Sequence, residues 1–115
     1  MKIEEKEVRI YCRENGSCPY FDWFNSISNE RLRQIIQARL ARLRLGNLGF
    51  CRSLGDGVFE LKIDFQAGYR IYFGNDSLGL VILISAGDKS SQNEDIKKAK
   101  GFWKDYKQRK ASENP

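Results

Sequence analysis

The spacing of apolar positions changes several times along the chain, and each change marks an element. Val8-Arg9-Ile10-Tyr11 alternates and is rich in β-branched and aromatic residues, which predicts a short strand over 8–11. Asn15-Gly16-Ser17 is turn-forming, and Pro19 suits the first turn of a helix, where its missing N–H costs nothing. Tyr20, Trp23, Phe24 and Ile27 then recur at helical spacing, and Ser28-Asn29 ends that helix and can cap the next. Leu32, Ile35, Ile36, Leu40 and Leu43 predict a second helix over 30–45, stopped by Gly46.

From there the period shortens to two. Phe59, Leu61, Ile63 and Phe65 alternate with Glu60, Lys62 and Asp64. After Gln66-Ala67-Gly68, Tyr69, Ile71 and Phe73 alternate with Arg70 and Tyr72. Gly74-Asn75-Asp76-Ser77 turns the chain again, and residues 80–84 are apolar throughout, as in a central strand covered on both faces. The prediction is an antiparallel meander over 58–65, 69–73 and 80–84. Ser91-Gln92-Asn93-Glu94 has the form of a capping box, with Ser91 as N-cap and Glu94 returning the bond. Ile96, Ala99, Trp103 and Tyr106 make the stripe of a closing helix, and residues 111–115 read as a frayed tail. The order β-α-α-β-β-β-α predicts an α+β fold, a single domain over 1–110 whose antiparallel sheet is packed by the helical pair.

Composition narrows the function. No run approaches the ~20 apolar residues of a membrane helix, and the first seven residues alternate charge without an apolar signal core. The expected location is the cytoplasm, with no membrane partner. Cys12, Cys18 and Cys51 are odd in number and show no paired spacing, so they read as reduced thiols. With no histidine, no metal site and no cofactor are expected, and acid–base chemistry falls to Lys, Tyr, Arg, Asp, Glu or Cys. Net charge is +5, and residues 31–44 hold Arg31, Arg33, Arg39, Arg42 and Arg44 with no acid. Such a balance suits a phosphate-bearing or acidic partner, and equally a pair of solvated helix faces.

Two segments could carry chemistry. The strand period sends Lys62, Arg70 and Tyr72 to the face opposite the apolar set, where a hairpin would gather them. That face could also be an ordinary wet surface, with Glu60 and Asp64 paired to Lys62 and Arg70. Gly87-Asp88-Lys89-Ser90-Ser91 opens the closing helix, and helix N-termini attract anions; a capped turn with nothing bound is the alternative. Pairing of the last two strands would bring Arg70 and Lys89 together, with Arg52 as a third cation.

These segments form an ordered series: Arg39-x-x-Arg42-Leu43, Gly46-Asn47-x-Gly49, Leu54-Gly55-x-Gly57-Val58-x-Glu60-Leu61-Lys62-Ile63, Gly68-Tyr69-Arg70-Ile71-Tyr72-Phe73, and Gly87-Asp88-Lys89-Ser90-Ser91-Gln92 with Asp95-Ile96. Over residues 20–108 the series resembles the addiction module killer proteins of the RelE/ParE toxin superfamily, near its HigB-type branch. Ala86 stands where that family usually has a second glycine. The resemblance implies a RelE/ParE-like fold and the toxin of a type II toxin–antitoxin module. It implies a cognate antitoxin, of helix-turn-helix type, as partner. Its RelE-like branch implies a metal-independent endoribonuclease that cuts mRNA on the ribosome. Its ParE-like branch implies a non-enzymatic inhibitor of DNA gyrase.

Carried onto this chain, the resemblance gives Arg70 the scissile phosphate and Lys89 a second cation or the acid. Tyr72 or Lys62 would be the base, and Tyr72 could instead stack on a splayed base. Arg52, Ser90, Ser91 and Lys97 are the candidate RNA contacts. Many relatives have a histidine or tyrosine near the end of the last strand; this chain has no histidine.

Overall fold

The computed structural model describes residues 5–47, 51–76 and 79–113. It shows a small α+β domain with a five-stranded mixed sheet and three α-helices. The elements run β1 (Glu7–Ile10), α1 (Pro19–Ser26), α2 (Glu30–Arg44), β2 (Cys51–Ser53), β3 (Val58–Ile63), β4 (Tyr69–Asn75), β5 (Leu80–Asp88), a 3-10 turn (Lys89–Ser91) and α3 (Gln92–Glu113). Strand order is β1-β5-β4-β3-β2; the sheet is mixed rather than antiparallel as expected, because β1 lies parallel to β5 while the other neighbours are antiparallel.

The expected meander is β3–β4–β5, and the expected helices are present. β2 was not expected: a three-residue edge strand leaves too short a pattern to stand out from a loop. Of the motif Gly46-Asn47-x-Gly49, Gly49 lies outside the described residues, as do Met1 to Glu4, Ser77 and Leu78. Gly46 follows α2 with φ +85°, the left-handed conformation glycine adopts most readily after a helix.

Three further expectations need correction. α3 continues to Glu113, so most of the supposed frayed tail is helical. Ser91 is not the N-cap of a capping box: the 3-10 turn comes first, and the Asp88 side chain accepts from the Ser90 amide at 2.9 Å. Cys12 and Cys18 are joined by a disulfide rather than being thiols, closing the turn that leads from β1 into α1; Cys51 is free.

The sheet has a packed core on each face. On one, Phe24, Ile36, Leu40 and Leu43 from α1 and α2 meet Leu61, Ile63, Ile71, Phe73, Val81 and Leu83. On the other, Ala99 and Trp103 of α3 meet Val58, Tyr72, Ile82 and Ile84. Gly74 makes the second contact possible. A Cβ there would lie 2.6 Å from the Trp103 ring, so only glycine lets the indole lie on the strand. The face expected to be open is therefore partly roofed by α3.

Candidate site at the junction of hairpin and closing helix

Sheet register sets two rows of polar side chains side by side beneath the start of α3. In one, Lys62 of β3 faces Arg70 of β4, which faces Gly87 of β5. In the other, Arg52, Glu60, Tyr72 and Ser85 stand opposite one another across β2, β3, β4 and β5.

The first row joins the two motif segments. The Lys89 amide donates to the Gly68 carbonyl at 3.2 Å, tying the 3-10 turn to the β3–β4 turn. A Cβ on Gly87 would collide with the Asp95 carboxylate, so the missing side chain lets the first turn of α3 settle against β5 beside Arg70. Ser91 Oγ donates to Asp95 Oδ2 at 2.6 Å, and Ser90 Oγ donates to Asp88. Both hydroxyls serve the turn. Lys62 and Lys89 are exposed, whereas Arg70 is only 8% exposed.

The second row is anchored by Glu60, which is 4% exposed and accepts from Arg52 Nε at 2.8 Å and from Gln92 Nε2 at 3.0 Å. A buried carboxylate needs such compensation, and here it comes from β2 on one side and α3 on the other. The Arg52 guanidinium is raised above its ordinary pKa by this hydrogen bond and by the Glu60 charge. Tyr72 is fully buried. Burial, with the nearby Glu60 charge, raises its phenol pKa.

Four buried polar atoms in these rows have no hydrogen-bond partner in the protein: Arg70 Nε and Nη1, Tyr72 Oη and Ser85 Oγ. Each such group costs about 1–3 kcal/mol if nothing meets it. Among the described residues the unpartnered buried side-chain atoms gather at this locus, and such groups usually meet water or a ligand.

The structure thus brings Lys62, Arg70, Lys89, Ser90 and Ser91 together and puts Arg52 in the adjoining row. It corrects three expectations. Arg70 is not outward on an open face: it is buried beside the first turn of α3, with its Nε and Nη1 enclosed. Tyr72 is not on an open face: α3 covers it, so in this conformation it can neither take a proton from a bound substrate nor stack on a base. Lys97 does not join the site; it points to solvent and approaches Glu94 at 3.8 Å. Ser85, Gln92 and Asp95 were missed. Gln92 and Asp95 sit on the inward side of α3 with Ile96 and Ala99, a signal the helical period carries but the capping-box reading obscured. Among the described residues, no group of three or more His, Cys, Asp and Glu could hold a metal ion, and no helix is long and apolar enough to cross a membrane.

Fold and site define a small basic α+β domain with a cationic, partly roofed locus between a β-hairpin and a helix entrance. No family model matches the sequence. A Haemophilus influenzae protein, described as "Uncharacterized protein", is 49% identical over 78 residues, covering 68% of this chain and 79% of the relative. The chain belongs to the same family as that protein.

Proposed function

We propose that the chain is the toxin of a type II toxin–antitoxin module of RelE/ParE-like fold, acting in the cytoplasm as a ribosome-dependent endoribonuclease. The observation that carries this reading is the meeting of Gly68-Tyr69-Arg70 with Gly87-Asp88-Lys89 through the Arg70–Gly87 register and the Lys89–Gly68 hydrogen bond. Segments separated in sequence contribute cations to one place, and two enclosed nitrogens of the Arg70 guanidinium have no partner within the protein.

In the reaction, the ribose 2′-oxygen attacks phosphorus, the bond to the 5′-oxygen breaks, and negative charge builds on the non-bridging oxygens. Arg70 stabilises that charge through its field from beneath the surface, its Nε and Nη1 being enclosed in this conformation. Lys89 gives a proton to the departing 5′-oxygen. Lys62, exposed beside Arg70, is the side chain placed to take the 2′-hydroxyl proton. The ribosome orients the message, so free RNA is a poor substrate. The cognate antitoxin holds the protein silent.

One observation favours a second reading, the non-enzymatic inhibitor of DNA gyrase. Tyr72 is roofed and both Glu60 oxygens are engaged, so the exposed rim offers cations rather than a carboxylate or phenolate base. Primer extension on cellular mRNA after induction separates the two. Cuts phased to codons, absent in Arg70→Ala and Lys89→Ala, are expected of the nuclease. Intact message with double-strand DNA breaks would instead assign the gyrase reading.

A further inference from the structure

The Cys12–Cys18 bridge spans a turn that also holds itself. The Gly16 amide donates to the Arg13 carbonyl at 2.9 Å, the Arg13 amide to the Ser17 carbonyl at 2.7 Å, and the Ser17 amide to Asn15 Oδ1 at 2.9 Å. Gly16, at φ +90°, takes the left-handed conformation that lets the chain reverse there. None of these bonds needs the S–S link, so the two sulfurs stay neighbours when the link is broken. A pair held in this way re-forms its bond at high effective concentration.

Other features favour opening. Both cysteines are partly exposed, so a small reagent reaches the bridge. Cys18 is the N-cap of α1, and within the described residues its bridged side chain accepts no capping hydrogen bond. Unpaired amides at a helix start favour negative charge on a departing sulfur, here with the exposed carboxylate of Asp22 in the same turn opposing them. Cys12 lies at the end of β1, where it lines an open cavity of about 300 Å³ with Arg9, Tyr106 and Arg109. Cys18 therefore supplies the better leaving sulfur, and Cys12 the sulfur to be attacked.

The bridge is also coupled to α3. The Cys12 carbonyl accepts from Arg109 Nη2 at 2.7 Å, and the same nitrogen donates to Asp105 Oδ2 at 2.8 Å. Tyr11 Oη donates to Asp105 Oδ2 at 2.6 Å, and the Tyr11 and Phe102 rings lie 5.5 Å apart. The Arg13 guanidinium covers the Phe102 ring. Three consecutive residues thus clasp the far half of α3 at Phe102, Asp105 and Arg109, and the middle one is the bridged cysteine.

We propose that Cys12–Cys18 is a site of reversible exchange with low-molecular-weight thiols, and that its redox state sets how firmly the far half of α3 is held. A thiolate attacks Cys12 Sγ, the S–S bond breaks, and the electron pair leaves on Cys18 Sγ, which takes a proton from water. A second thiolate attacks the first reagent's sulfur in the mixed disulfide, and Cys12 Sγ departs and is protonated in turn. The protein gains two electrons, and the two thiols leave joined as a disulfide. With the bridge open, the backbone at Cys12 is no longer tied to the start of α1, and its carbonyl holds Arg109 less firmly. The inference does not depend on the toxin reading.

The test uses the folded full chain carrying Cys51→Ser, so that only the bridge cysteines react. The protein is equilibrated without denaturant across ratios of reduced to oxidised glutathione, quenched by acid and alkylation, and weighed, while amide exchange is followed over residues 102–113. A structural bridge resists glutathione; the expected result is a reversible transition, with the trapped mixed disulfide on Cys12. Exchange over 102–113 should run about tenfold faster in the reduced protein. In Arg109→Ala, whose clasp is already lost, reduction should change it by less than about threefold. Circular dichroism shows whether that variant folds, and Asp105→Asn loosens the same clasp by a second route. A bridge that glutathione leaves oxidised, one that opens but does not re-form, or a mixed disulfide on Cys18 would overturn the proposal. So would exchange over 102–113 that ignores the redox state, or that responds equally in folded Arg109→Ala and Asp105→Asn.

Discussion

Single side chains decide whether this surface can act on a polyanion. Arg70 is buried, and two of its nitrogens are enclosed without a partner inside the protein. The alternation of β4 showed which face Arg70 takes. It did not show the roof, because whether a strand's polar face meets water depends on an element twenty or more residues away. Tyr72 was misjudged for that reason, and Glu60, read as a surface charge, is a buried anchor between Arg52 and Gln92. Removing it as Glu60→Ala leaves Gln92 and Arg52 without their shared acceptor. The expected cost is about 1–3 kcal/mol, read from urea unfolding, and no measurable cost would show that the carboxylate does not hold the rows together. The Cys12–Cys18 bridge also escaped the sequence, since an odd cysteine count does not say which pair meets. Cross-linking so short a loop should stabilise the oxidised protein by about 2 kcal/mol. Urea melts with and without reductant check this, and coincident curves would contradict it. Under reducing conditions the bridge opens, and the stability of the reduced form is then the one measured.

At the scale of elements, α3 governs access to the site, and its attachment is titratable. Its far half is pinned twice: Tyr11 Oη donates to Asp105 Oδ2 at 2.6 Å, and Tyr106 Oη donates to Asp76 Oδ2 at 2.5 Å. Hydrogen bonds from Tyr11 and Arg109 hold the Asp105 carboxyl below its ordinary pKa. At Asp76 burial pushes upward, but hydrogen bonds from Lys110 and Tyr106 outweigh it and the net shift is downward. A depressed folded pKa contributes stability that is present above the ordinary aspartate value of about 4 and lost as pH falls through the folded value. Amide exchange along α3 should therefore accelerate below about pH 4, and less so in Tyr11→Phe/Tyr106→Phe, whose pins no longer depend on the carboxylates in this way. Exchange with the same acid dependence in that variant would contradict the assignment. Tyr11, raised to about 12 mainly by burial and then by its bond to Asp105, sets the opposite limit. Its contribution is whole below the ordinary tyrosine value of about 10 and is lost as pH rises through the folded value.

Gly74→Ala tests the packing of the same helix. The added methyl meets the Trp103 ring, and overpacking of this kind costs about 1–3 kcal/mol, measurable as a lower urea midpoint. A neutral substitution would mean that α3 does not press on β4 as described. The stripe Ile96, Ala99, Trp103 announced that α3 packs on something, and the all-apolar 80–84 run announced two covered faces. What the pattern lacked was the direction in which α3 crosses the sheet, which glycine contacts at Gly74 and Gly87 determine.

The whole molecule separates two regions. Under the entrance of α3 lie Lys62, Arg70 and Lys89, drawn from one hairpin and one turn. At the far half of the same helix lies the bridged turn from Cys12 to Cys18. Net charge pointed to a polyanionic or acidic partner without saying where it would sit, because charge counts carry no topology. The meander and helical pair were legible from period alone, whereas the parallel return of β5 beside β1 was not, since a strand's neighbours are set by the whole sheet. On the proposed toxin function, Arg70 and Lys89, distant in sequence, form the one centre on which growth arrest depends. Growth of a bacterial culture after tightly controlled induction tests it most directly. Wild type should arrest growth, and Arg70→Ala and Lys89→Ala, expressed to the same level and folded, should each relieve the arrest. Full arrest by both variants, or none by wild type, would contradict the claim.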